Sequence, residues 1–314
     1  MIRLGTRGSP LALCQARLVA ERLERAGAEV RIVPMRTEGD RRLDAHLAAV
    51  GGKGLFVREI EEAVVAGAID IAVHSLKDLP AELPAGLCLA AFPEREDPGD
   101  VLVTREGGGL ADLPVGALIG TSSPRRGAIT LSLRPDLTVV PIRGNVDTRL
   151  RKLAAGEVHA LILAAAGLRR LGLWPPHACP LDPTIFVPAV GQGILGIEAR
   201  REDARTLALL DRLDDRATRC RAMAERACLA RLGASCATPL AAHATLTESR
   251  LSLMALVASD DGRRVLRAGA TGPADAADRV GREVAEALLA DGAASIVPLT
   301  PALAGAARGV SHGR

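Results

Sequence analysis

An apolar run that ends in glycine or another small residue, then arginine, then a helical pattern, is the feature that most limits what this chain can become. It occurs at 5–10 (GTRGSP), at 120–126 (GTSSPRR), at 143–149 (RGNVDTR) and again where 158–164 runs into Arg169 and Arg170. Strand, turn and helix in that order build a mostly parallel sheet, and open sheets of this kind bind ligands at the carboxyl ends of their strands. One basic pair is usually a solvated face. At corresponding places in two α/β units, these arginines are expected to line one cleft for a ligand with several negative charges.

The rest of the chain fits around that pattern. Strands are predicted at 1–6, 29–35, 68–74 and 87–92, with helices at 11–26 and 56–66; Ser9 and Pro10 form a good helix start and Gly27 a good stop. Residues 37–54, polar and then glycine-rich, read as a mobile loop, and PEREDPGD at 93–100 as a hinge. A second unit repeats the scheme with strands at 117–120, 138–142 and 158–164 and helices after 124 and at 147–155. Near 188–197 the chain leaves that unit, and helical patterns follow at 201–213 and 218–232. The last part changes to short strands at 240–246, 251–257 and 265–270, with a hairpin signal at 259–262 and an amphipathic helix at 273–289. The domains are drawn at 1–94 with a return segment at about 194–213, at 95–193, and at 216–314.

Composition removes several function classes. The 40 basic residues barely exceed the 37 acidic ones, so no global field marks a nucleic-acid or membrane-surface protein. Only 1% of the residues are aromatic, which leaves few rings for stacking on bases. The cysteines at 14, 88, 179, 220, 228 and 236 form no C-x-x-C, so zinc and redox dithiols are not expected. No signal-like N-terminus and no membrane-length apolar run is seen, and the expectation is a cytoplasmic protein.

Within the predicted cleft, HSLKDLP at 74–80 puts Lys77 and Asp78 in the turn after a buried strand. A carboxylate among arginines can stabilise a cation or move a proton, or it can be an ordinary surface partner of Lys77. His74 reads as a packed histidine at a strand end. Free N–H groups, hydroxyls and guanidinium forks at Thr121, Ser122, Ser123, Arg125 and Arg126 suit an anion, as do Arg143 and Arg149 and, in the first unit, Arg7 and Ser9. GQGILG at 191–196 fits a dinucleotide fingerprint without its βαβ context, and GGKGL at 51–55 lacks the Ser or Thr of a P-loop. A loop carrying Lys53 and Phe56 over the cleft explains the latter better. Cys236, on a loop after a helix ending at Gly233, is either reactive or incidental.

GTRGSPLAL, VGGKGLFVREIE, HSLKDLP, EREDP, GTSSPRR, IRGNVDTRL, AAAGLRRLG, PAVGQGILGIE and the AER…CLARLGASC block, in this order, resemble the porphobilinogen deaminase (hydroxymethylbilane synthase) family from residue 2 to about 240. The resemblance implies two periplasmic-binding-protein-like, doubly wound α/β domains and a small C-terminal α+β domain bearing a cysteine. It implies a transferase that condenses four porphobilinogen molecules head to tail, losing ammonia each time, for haem and related tetrapyrroles. The product, linear hydroxymethylbilane, grows on a dipyrromethane cofactor held by a thioether, and Cys236 stands where that cysteine belongs. Asp78 matches the catalytic aspartate. Lys77, Thr121, Ser122, Ser123, Arg125, Arg126, Arg143, Gly144, Asn145 and Arg149 match cofactor-binding positions, and Arg7, Ser9 and Arg170 substrate-binding ones. No metal, nucleic acid or membrane partner is expected, and the chain is expected to be a monomer. Ala234-Ser235 stand where the family commonly has Gly-Gly. The rival reading is a non-enzymatic anion-binding protein on the same scaffold.

Overall fold

The computed structural model describes residues 1–37, 57–235 and 237–299. From the N-terminus, β1 (Ile2–Arg7) leads through the Ser9 cap into α1 (Pro10–Arg25), and β2 (Val30–Met35) follows. Ser9 Oγ accepts from Ala12 N, and Pro10 occupies the first helical turn, where its missing N–H costs nothing. Then come α2 (Arg58–Val65), β3 (Ile71–Ser75) with a 3₁₀ turn at Leu76–Asp78, and β4 (Leu87–Ala91). The chain crosses to a second sheet and lays down β5 (Asp100–Thr104), β6 (Leu118–Gly120), α3 (Pro124–Leu133), β7 (Thr138–Val140), α4 (Val146–Ala154), β8 (Ala160–Ala164), α5 (Ala165–Leu171) and β9 (Ala178–Pro180). It then crosses back as β10 (Leu195–Arg200) and α6 (Ala204–Leu210). The chain continues through α7 (Arg216–Leu232), the strands β11 (Leu240–Thr247), β12 (Arg250–Ala258) and β13 (Val265–Pro273), and α8 (Ala277–Ala290).

The first sheet has the order β2-β1-β3-β10-β4 and the second β7-β6-β8-β5-β9. Each sheet contains one antiparallel strand beside its third parallel one, and in each case it is the strand adjoining a crossing: β10 in the first sheet, β5 in the second. The architecture is therefore α/β, two doubly wound sheets of equivalent topology, with a small α+β unit of three antiparallel strands and helices. β5, β9 and β10 lie outside the expected strands, and the helix expected at 201–213 is shorter than its pattern. That helix starts at Ala204, capped by Asp203, whose carboxylate accepts from Thr206 N. The expected helix at 273–289 begins only at Ala277, because β13 runs on to Pro273 and a 3₁₀ turn intervenes.

Cores lie where the patterns require. Leu4, Ile71, Val73 and Ile197 of the first sheet meet Ala16, Val19 and Leu23 of α1, and Ile60 and Val64 of α2 cover the opposite face. Leu102, Ile119 and Ile162 of the second sheet meet Ile129 of α3, and the same cluster includes Ala241 and Leu256 of the third sheet. These packed faces leave the carboxyl ends of β1, β3, β6 and β7 as the loops that build the site.

Candidate active site

At the end of the first sheet Arg7 closes β1, Ser9 caps α1, and Lys77 and Asp78 sit in the 3₁₀ turn after β3. Leu76 N donates to Ile194 O at 2.9 Å, which fixes that turn against the returning chain. The side chains of Gln15 and Ser75 are hydrogen-bonded at 2.8 Å, tying α1 to the strand end. Arg7, Ser9, Gln15, Ser75 and Asp78 line one cavity, and the Asp78 side chain is exposed to it. His74 is buried, its Nε2 3.0 Å from the Glu198 carboxylate, as a packed strand-end histidine should be.

The second sheet supplies most of the hydrogen-bonding groups. Ser123 caps α3, its Oγ accepting from Arg126 N. Thr121 Oγ1 accepts from Ser123 N, and Ser122 Oγ donates to Ile142 O and accepts from Ile142 N. Arg125 is turned inward, with Nη1 donating to Asp100 Oδ2 and to Val187 O, both at 2.7 Å. Arg126 donates to Asp100 Oδ1 through Nε and Nη2 and to Ile162 O through Nη1. Burial works to raise the Asp100 pKa, yet the two guanidiniums outweigh it and hold the carboxyl at about 2. Arg125 is thus engaged by a buried carboxylate and a carbonyl, partners that its sequence context did not announce.

Arg149 differs. Its Nε donates to Gly144 O at 2.8 Å, and among the described residues no acidic side chain forms an ion pair with it. Burial, and then Arg126, lower its pKa. Gly144 has φ +107°, and a Cβ there would come within 2.7 Å of Thr148, so the turn that presents Arg143, Asn145 and Arg149 requires glycine. Asn145 holds the N-cap position of α4, and its carbonyl accepts from Arg149 N. Lys77 Nζ donates to Gln192 Oε1 at 3.4 Å, and Arg126 Nη2 reaches the same oxygen at 3.4 Å. Burial and then Arg126 push Lys77 down to about 8, against the pull of Asp78 and Asp100. The two sheets therefore bring their cations to one point, at a glutamine that sequence reasoning passed over inside GQGILG.

Arg170, like Lys77 and the second-sheet groups above, is not among the residues that line the Asp78 cavity. It lines a second one with Leu18, Arg22, Glu94 and Glu96, behind the contact in which Cys14 Sγ donates to the Arg170 carbonyl, and its Nη2 donates to Gly193 O at 2.7 Å. Burial pushes its pKa down to about 10. Lys53, Phe56 and Cys236 lie outside the described residues. The residues flanking Cys236 form a short turn, with Thr238 N donating to Ser235 O and Ser235 N to Thr238 Oγ1. Neither Ala234 nor Ser235 has positive φ, so the replacement of Gly-Gly brings no backbone strain there.

Residues 2–208 match the family model described as the dipyrromethane cofactor binding domain of porphobilinogen deaminase, and residues 219–290 match that enzyme's C-terminal domain. The chain belongs to the porphobilinogen deaminase family. A porphobilinogen deaminase of Syntrophotalea carbinolica is 51% identical, over 94% of this chain and 95% of that one. The one from Syntrophobacter fumaroxidans is 48% identical, over 95% and 97%. Among solved structures, the chain is similar to a periplasmic substrate-binding protein of an ABC transporter from Coxiella burnetii, 18% identical with a TM-score of 0.43 over 68% of this chain and 92% of that one. The family's cofactor is a dipyrromethane, two pyrroles that each carry two carboxylates. The residues present suit it, because Arg125 and Arg126 share the one buried carboxylate of Asp100, while Lys77 and Arg149, each within electrostatic reach of Arg126, add positive charge in excess.

Proposed function

We propose that this chain condenses four porphobilinogen molecules stepwise into linear hydroxymethylbilane on a covalently held dipyrromethane primer, with Asp78 at the reacting ring. The observation that carries the reading is the meeting of Lys77 and Arg126, one from each sheet, next to the exposed carboxylate of Asp78. A carrier of anions would need the cations alone; a carboxylate in their midst suits a reaction that develops positive charge. When bound, the dipyrromethane supplies the free pyrrole carbon from which the chain grows. In each cycle the C–N bond of the aminomethyl group of porphobilinogen breaks, ammonia leaves with the electron pair, and a C–C bond replaces it. Asp78 faces the cation that this departure creates on the incoming pyrrole and can take up the proton released when the new bond forms.

Lys77, Arg126, Arg143 and Arg149, with the hydroxyls of Thr121, Ser122 and Ser123 and the backbone at Gly144 and Asn145, hold the primer's carboxylates in this reading. Arg125 acts from behind, by fixing Asp100. Arg7 and Ser9 receive the incoming ring, and Arg170, in its separate cavity, meets the chain only if it grows past α1. Cys236 carries the thioether. We place the enzyme in the cytoplasm, as a monomer dividing at 94/95 and 193/194 with a third domain from 216. The free thiols of Cys14, Cys88, Cys179, Cys220 and Cys228 support a reducing compartment.

Asp78→Asn is expected to fold, to keep its primer and to bind porphobilinogen, while turnover falls by about 10²–10³, the usual loss for one electrostatic partner of a transition state. Intact mass and steady-state kinetics decide it. Near-parental turnover would leave Asp78 a surface partner of Lys77, and a primer that survives Cys236→Ser would displace the thioether to another cysteine.

A further inference from the structure

The tract GQGILG reads like a nucleotide fingerprint and is not one, yet both of its first glycines are required by the fold. Gly191 and Gly193 have φ of +71° and +85°. A Cβ on Gly191 would lie 2.8 Å from Leu76 Cγ, and one on Gly193 only 2.3 Å from Glu96 O. The returning crossing therefore lies directly against the turn that carries Lys77 and Asp78 and against the outgoing crossing. Between the two glycines Gln192 points inward and is 1% exposed.

Its amide is used on both sides. Nε2 donates to Pro98 O at 2.7 Å, to Asp100 Oδ1 at 3.0 Å and to Gly99 O at 3.3 Å. Oε1 accepts from Lys77 Nζ and Arg126 Nη2, each at 3.4 Å. The backbone of Gln192 adds a carbonyl that accepts from Arg95 Nε at 2.9 Å. Both crossings, the turn of the first sheet and a helix of the second thus meet at one residue. We propose that Gln192 is a positioning residue that locks the Lys77–Asp78 turn to the Arg126 guanidinium, so that the two halves of the cleft hold one polyanion in a single register; this rests on the function proposed above.

The chemistry favours an amide here. A side chain must donate to the Asp100 carboxylate and accept from two cations at once, and of the isosteres only glutamine does both. A glutamate would set a second carboxylate beside Asp100 and lose the three donations. Methionine would offer neither function. The two long contacts to the cations also matter, since a neutral acceptor near the limit of hydrogen-bond length orients Lys77 and Arg126 without cancelling their charge. Arg125 and Arg126 share the one charge of Asp100 and Lys77 brings its own, so net positive charge stays available to a carboxylate of the primer or the growing chain.

The test uses the full-length protein purified from cells that make its primer, as Gln192→Met, Gln192→Glu and the parent, beside Lys77→Met and the double variant Lys77→Met/Gln192→Met. Intact mass reads primer loading, and kinetics of the loaded fraction separate KM from kcat. Gln192→Met is expected to load less primer and to raise KM for porphobilinogen about tenfold, the scale of one hydrogen bond to a charged group. The double variant should be no worse than the poorer single one, because both act through the same contact. Gln192→Glu, matched in size, should load primer less well than the parent and serves if the methionine variant does not fold. Parental loading and KM with only a lowered melting temperature would overturn the proposal and make Gln192 a structural hinge residue. Failure of the function reading shows separately, as undiminished turnover in Asp78→Asn.

Discussion

Lys77 is where a single proton has the largest consequence for the site. Burial and the neighbouring Arg126 favour its neutral form, Asp78 and Asp100 favour the charged one, and the balance falls at about 8. Below that pH the ammonium can hold a carboxylate, and above it the neutral amine cannot. The same shift has the opposite sign for stability. The unfolded chain keeps the lysine proton up to its ordinary 10.5, so between about 8 and 10.5 the unfolded state binds more protons and stability rises with pH. The grip of Lys77 on the primer's carboxylates, and through the primer's position the KM for porphobilinogen, is therefore expected to worsen as pH rises through 8 while the melting temperature does not fall on this account, and Lys77→Met should flatten that alkaline limb. A KM profile flat from pH 7 to 9 in the parent would remove Lys77 from the binding face. Asp100 shows how far burial alone misleads at this scale: a fully buried carboxyl would be neutral without Arg125 and Arg126, and with them it is an anion down to about 2.

Among the elements, the crossing of α7 and α8 is the tightest. Gly281 on α8 faces α7 so closely that a Cβ would sit 2.3 Å from Ala224 O and 2.7 Å from Ala227 Cβ. Its neighbours Val280 and Val284 are buried with Leu229 and Leu232 in the core beneath β11–β13. Gly281→Ala has the better helix former and is nonetheless expected to destabilise the third unit by about 1–3 kcal/mol, because a backbone carbonyl and a Cβ fixed to its backbone cannot rotate out of the way. Chemical denaturation measures it, and a neutral or stabilising result would mean that the two helices separate at no cost. Sequence reasoning placed both helices by their periodicity. It could not show this contact, since a glycine inside a helical pattern looks the same whether it faces water or another backbone.

At the scale of the whole molecule, Glu225 joins the three units. This fully buried carboxylate of α7 accepts from Arg95 Nη1 at 2.7 Å on one crossing, from Gly191 N at 2.6 Å on the other, and from Ala244 N at 2.8 Å in β11. Burial would raise its pKa, but Arg95 and His243 prevail and hold it below the ordinary carboxylate value. Its contribution is therefore present above the ordinary 4.5 and lost as pH falls below it. Glu225→Gln leaves Arg95 buried without a counter-charge and should cost about 3–5 kcal/mol, read as a lower denaturant midpoint. A loss under about 1 kcal/mol, typical of exposed pairs, would show that the crossings are held by other contacts.

What the sequence determined by itself was local in origin. The helix start at Ser9-Pro10, the strand ends that carry Arg7 and Lys77, the hairpin at 259–262 and the order of strands and helices all follow from caps, turns and periodicities within a few residues, and the motifs in their order identified the family. Tertiary structure alone decided the rest. β10 takes its place between β3 and β4, more than a hundred residues earlier in the chain, and β5 lies between β8 and β9, so their positions in the sheets come from partners that no local pattern reveals. The inward turn of Arg125 onto Asp100, the separation of Arg170 from the Asp78 cavity and the central place of Gln192 have the same cause. Whether a charged or amide group faces solvent, a ligand or a buried counter-charge depends on groups that only the folded chain brings within hydrogen-bond reach.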